Sequence, residues 1–189
     1  MPNHVECDLY VTTRNGLDET QQKEAAEQLK RFKTHARGEK PEAGEQVWLD
    51  HHVFIPYPQR FVDQDKLHDE AMARAERGEI TRAEAWRVKD GFNSGGYEWC
   101  RENWGTKWGI YQSKLIEEKS YEGESLAYTF QSAWSPPLPV ILKMSADFPL
   151  LSFWLDAYER GAAYFVHAKF EQDIKKYYAE GEYYGPRGG

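Results

Sequence analysis

Asn3-His4-Val5-Glu6-Cys7-Asp8-Leu9-Tyr10-Val11-Thr12-Thr13 places Val5, Cys7, Leu9 and Val11 at every second position, the period of a strand with one buried face. Glu6, Asp8 and Tyr10 then point the other way. Asn15-Gly16 ends the run. Asp18 with Gln21 three residues on has the spacing of a helix N-terminal capping arrangement, and Ala25, Leu29, Phe32 and Ala36 follow at helical spacing until Gly38. These residues predict one amphipathic helix over 18–37.

Glu39 to Gly44, polar and carrying Pro41, reads as a loop. Val47 to Ile55 is apolar enough for a second strand, stopped by Pro56-Tyr57-Pro58. Residues 63–90 intersperse acids and bases around Leu67, Ala71, Met72 and Ala75, which predicts a charged helical insertion. Arg77-Gly78 interrupts it, and Thr81 with Glu84 has the spacing of a capping box for a short second helix carrying Ala85 and Trp86. Gly91-Phe92-Asn93-Ser94-Gly95-Gly96 reads as the most flexible stretch.

Tyr97 to Lys107 holds a short helix stopped by Gly105. Trp108 to Ile116 and Ser125 to Trp134 form an antiparallel pair with Gly123 at the turn. Pro139 opens a helix that ends near Phe148-Pro149, and Leu151 to Tyr158 and Ala162 to Phe170 give two more strands. Residues 177–189 are a Tyr- and Gly-rich tail that frays or pairs at an edge. The whole is a single α+β domain over 1–189, with helices on one face of a mostly antiparallel sheet. A ferredoxin-like arrangement, with room for two such halves in one sheet, fits the order.

The 189 residues suit one domain, and 40% hydrophobic content with 29% charge excludes wholesale disorder. Mean hydropathy is −0.82 although rings make up 15% of the chain, so burial capacity sits in large aromatics. A net charge of −7 argues against a generic phosphate-backbone binder. No run approaches the ~18 apolar residues of a membrane helix, and the first residues lack a secretory pattern, so no membrane partner and a cytoplasmic location are expected. Cys7 and Cys100 alone make no disulfide framework.

Catalytic spacing is sparse. Gly105-Thr106-Lys107 puts Thr before Lys and lacks the phosphate-loop spacing. On a strand, His51 and His52 point to opposite faces and do not share a metal; His4, His35, His68 and His167 are scattered. There is no Gly-x-Ser-x-Gly elbow, and Glu117-Glu118, Asp147 and Asp156 are not singled out among many carboxylates. No cofactor is implied. Arg160-Gly161-Ala162-Ala163-Tyr164-Phe165-Val166 echoes an RNA-recognition strand but has Ala162 where a stacking ring belongs.

Trp99-Cys100-Arg101-Glu102-Asn103-Trp104-Gly105-Thr106-Lys107-Trp108, followed by Ala133-Trp134-Ser135-Pro136-Pro137 and Pro139-Val140-Ile141, resembles the YubB-type ferredoxin-like family of phages and plasmids. Met1-Pro2-Asn3-His4-Val5 and Ile55-Pro56-Tyr57-Pro58 also look like that family, and these anchors span residues 1 to about 165. The resemblance implies a ferredoxin-like fold and a mobile-element origin, and carries no catalytic residue with it.

Resemblance and sparse catalytic spacing together lead to a non-enzymatic accessory protein that binds a host or mobile-element protein, with inhibition of a bacterial defence system as one such role. The expected contacts are Asp65, Glu76, Arg82 and Lys89 on the insertion, and Trp104, Lys107, Trp108 and Trp134 in the aromatic block. The alternative is an enzyme or ligand-binding protein with a pocket at Trp104, Trp108 and Trp134. Nucleic-acid binding through the sheet ranks third. Buried indoles also explain the block as plain core.

Overall fold

The computed structural model of the protein describes residues 3–38, 47–120 and 124–182. β1 (His4–Thr13) runs through the middle of an antiparallel sheet, flanked by β3 (Glu124–Ala133) and β4 (Leu151–Glu159). β2 (Tyr111–Ser120) pairs outside β3, while β5 (Tyr164–Glu171) and β6 (Ile174–Glu182) extend the other side. The strand order is β2-β3-β1-β4-β5-β6. α1 (Glu19–His35) connects β1 toward β2, and α5 (Leu138–Asp147) connects β3 to β4. The β2-β3-β1-β4 portion is the split βαβ order of a ferredoxin-like α+β fold. One such unit is present rather than two halves sharing a sheet, because β5 and β6 are added to β4 as successive hairpins.

Alternation decides which face is core. Val5, Cys7, Leu9 and Val11 are fully buried, and Tyr128, Phe130, Phe153, Leu155 and Ala168 continue the apolar layer across the neighbouring strands. Leu29 and Phe32 of α1 and Ile141 and Met144 of α5 complete it. The Phe32 ring stands edge-on to Phe148 at 5.2 Å and to Phe153 at 5.3 Å, an arrangement aromatic quadrupoles favour. On the opposite face Tyr10 lies in register with Trp154, and both rings are exposed. Both N-terminal capping boxes form, Asp18 with Gln21 and Thr81 with Glu84.

The expected strand Val47 to Ile55 is absent: residues 47–50 are irregular and His51–Val53 is a 3₁₀ turn. Its backbone donors go elsewhere, the amides of Trp48 and Leu49 to Ser113 Oγ at 3.0 Å and that of Asp50 to the Ala36 carbonyl at 2.7 Å. The charged segment holds α2 (Gln59–Glu76), which starts directly after Pro58, and α3 (Arg82–Ala85). A second 3₁₀ turn (Phe92–Ser94) and α4 (Gly96–Asn103) lead back to the sheet.

The glycine-rich stretch is packed tightly rather than loose. A Cβ on Gly91 would meet the Phe61 carbonyl oxygen at 2.1 Å, so the glycine allows close approach of two backbones. β2 begins at Tyr111 rather than Trp108, and Tyr177 to Glu182 belong to β6. The expected loop at residues 39–44, the Gly123 turn and tail residues 183–189 lie outside the described residues, as do Met1 and Pro2.

Candidate functional site

The 3₁₀ turn creates the site. Asp50 caps it, accepting from the His52 amide at 2.9 Å and lying 3.0 Å from His52 Nδ1. A 3₁₀ turn does not alternate its side chains as a strand does, so the two histidine rings lie side by side, 4.0 Å apart, instead of on opposite faces. Trp104 ends α4 beside them. Its indole N–H donates to the Ile55 carbonyl at 2.9 Å, and its ring stands edge-on to His51 at 4.4 Å. The same ring meets Tyr57 at 5.4 Å and Trp99 at 5.1 Å. The block therefore fastens α4 to the turn and to the Ile55–Tyr57 segment that follows it.

His51 is 6% exposed and is enclosed by the chain entering β2. The Ile110 amide donates to its Nδ1 at 3.2 Å, and a Cβ on Gly109 would fall 1.6 Å from its Nε2. Only glycine fits there. Beside this wall opens a cleft of about 340 Å³, lined chiefly by Tyr57, Phe92, Trp104, Trp108, His51 and Asp65. Asp65 is held by accepting the Gly91 amide at 2.7 Å.

Burial, followed by the nearby His52, lowers the His51 pKa to about 3, so the ring is neutral. Burial opposes ionisation of Asp50, but the hydrogen bonds from the His52 side chain and backbone outweigh it and hold this carboxyl below its usual range. Burial pushes the Cys100 thiol up to about 11, which keeps this cleft residue protonated and poorly nucleophilic. Asp50, His51 and His52 bring possible ligand atoms within 4.8 Å of one another. They do not suit an ion as placed: Nδ1 of neutral His51 accepts the Ile110 amide, which puts the ring proton on Nε2 and leaves that residue no lone pair to give.

Of the sequence-expected contacts, Trp104, Trp108 and Asp65 come together at the cleft. Lys107 and Trp134 lie at a neighbouring groove. Glu76, Arg82 and Lys89 are exposed and line neither. Sequence reasoning missed His51, Tyr57, Phe92, Gly109 and Ile110 as one wall. The available signal was Gly109 directly after Trp108, a glycine where a large ring and a buried chain converge.

No helix of the described residues is long and apolar enough to cross a membrane. No family model matches the chain, and no curated protein matches it. Among solved structures it is similar to the protein api92 from Yersinia pseudotuberculosis, described under family model DUF1281. That similarity has a TM-score of 0.46 and 12% identity, covering 98% of this chain and 100% of the other.

Proposed function

We propose that the chain is a binding protein that takes a small ligand with a flat, largely apolar body into the aromatic cleft. The cleft itself carries this reading: its volume of about 340 Å³ falls in the usual range for small-molecule sites, and rings dominate its wall with a few polar groups among them. Neutral His51 and protonated Cys100 suit recognition better than proton transfer or nucleophilic attack. A set of planar heteroaromatic compounds, screened by NMR of the indole N–H groups, tests it. Binders are expected to move the Trp108 resonance and leave Trp154 on the open sheet face unmoved. Trp108→Ala is expected to weaken them about tenfold, equivalent to ~1.4 kcal/mol. Binders that move Trp154 alone, or no saturable binder from the whole set, would refute the proposal.

A second reading has its own observation. Trp86 is 67% exposed and Leu67 54% exposed, both on the charged helical segment that also bears Glu76, Arg82 and Lys89. Apolar side chains within a charged rim suit a protein partner, in keeping with an accessory protein of mobile-element origin that blocks a host defence component. A partner captured by the native chain and lost with Trp86→Ser, while the variant melts unchanged, supports this reading; retention by the variant rejects the surface.

A further inference from the structure

Trp134 combines three unusual features. Its φ is 73°, a left-handed conformation that strains a bulky side chain. Its backbone is held there from both sides, with its amide donating to the Asn3 carbonyl at 2.9 Å and its carbonyl accepting from Tyr164 Oη at 3.0 Å. The ring so presented is 42% exposed, an expensive placement for an indole that serves only as core.

Lys107 Nζ lies over this ring, 4.4 Å from its centroid, and 5.0 Å from that of Trp108. Tyr97 stands edge-on to Trp134 at 6.1 Å and Phe92 meets Tyr97 at 5.6 Å. Phe92, Tyr97, Lys107 and Trp134, with Asn93 and Glu98, line a groove of about 270 Å³. Several π systems and one carboxylate around a space already visited by an ammonium group form a setting that attracts cations through ring quadrupoles.

We propose that the groove between Trp134 and Tyr97 binds a methylated or quaternary ammonium head group, with Lys107 as the resident cation that the ligand displaces. A primary ammonium is strongly hydrated, so Lys107 holds the seat weakly on a half-buried side chain. A quaternary ammonium has no N–H to leave unsatisfied and offers methyl groups to the rings. Glu98, an exposed lining residue, supplies the opposite charge. The groove shares Phe92 with the cleft proposed above but does not depend on a ligand there.

The test is titration with tetramethylammonium chloride, against sodium chloride and sodium acetate at matched ionic strength, following the Trp134 indole resonance. Saturable binding is expected for tetramethylammonium only. Lys107→Met keeps the chain length and vacates the seat, so it is expected to bind about two- to fivefold more tightly, the range of an exposed cation–π contact. Trp134→Leu, followed through Tyr97, is expected to lose saturation. Should that variant fail to fold, Trp134→Phe retains a ring and is expected to bind more weakly than the native chain. Weaker binding by Lys107→Met, saturation by acetate instead, or no saturation with tetramethylammonium would each overturn the proposal.

Discussion

At the scale of single residues, His51 couples the site to acidity. Its folded pKa of about 3 lies below its ordinary value of 6.5, so the unfolded chain binds the extra proton more readily over that interval. Stability from this group is complete above about pH 6.5 and is lost as the pH falls toward 3. Between pH 6 and 5, above the range where Asp50, Glu79, Glu84 and Glu171, all with folded pKa values below their ordinary ones, add their own acid dependence, the unfolding free energy is expected to fall with a slope approaching ~1.4 kcal/mol per pH unit. Chemical denaturation at stepped pH checks this, and His51→Asn, whose side-chain oxygen still serves the Ile110 amide, should flatten the slope. An unchanged slope in that variant would place the acid sensitivity elsewhere. The sequence made the His51-His52 doublet visible but not its geometry, because side-chain direction depends on whether the backbone alternates. That choice was made by distant partners, Ala36 and Ser113, which claim the amides a strand would have used.

Secondary-structure elements were legible where the signal was local. α1 followed from Asp18, Gln21 and the spacing of Ala25, Leu29 and Phe32, and its box forms with Asp18 Oδ1 accepting the Gln21 amide at 2.8 Å. Asp18→Ala is expected to cost about 1 kcal/mol, read as a lower urea midpoint with an unchanged slope. A loss below a few tenths would mean that tertiary contacts, rather than the cap, fix the start of α1. The beginning of β2 was less legible. Trp108, Gly109 and Ile110 have the composition of a strand, yet their places are set by His51, nearly 60 residues earlier, which no local period encodes. The glycine-rich 91–96 stretch misled for the same reason: the close approach of Phe61 to Gly91 is a tertiary fact.

For the whole molecule, the α+β class and antiparallel sheet could be read from alternating strands and amphipathic helices. The order of the strands could not, since pairing partners are far apart in sequence. β1 sits between β3 and β4 with pairing along nearly its full length, whereas β6, among the described residues, has a strand on one side only. Amide exchange is therefore expected to be slowest in β1, limited by global opening, and faster in β6. Equal protection of the two would show that the sheet opens as one unit. The exposed row of Tyr10 and Trp154 is compatible with this order, because among the described residues the helices cover only the other face.

The central position of β1 also governs how the chain emerges during synthesis. Val5 pairs with Ser132 and with Glu159, so both edges of this early strand wait for residues made well over a hundred positions later. At ~5–20 residues per second the delay is on the order of ten seconds. During that interval β1 lacks both flanking strands and α1 alone is at hand to cover the apolar face of Val5, Cys7, Leu9 and Val11, so the nascent chain is expected to engage chaperones more than the finished protein does.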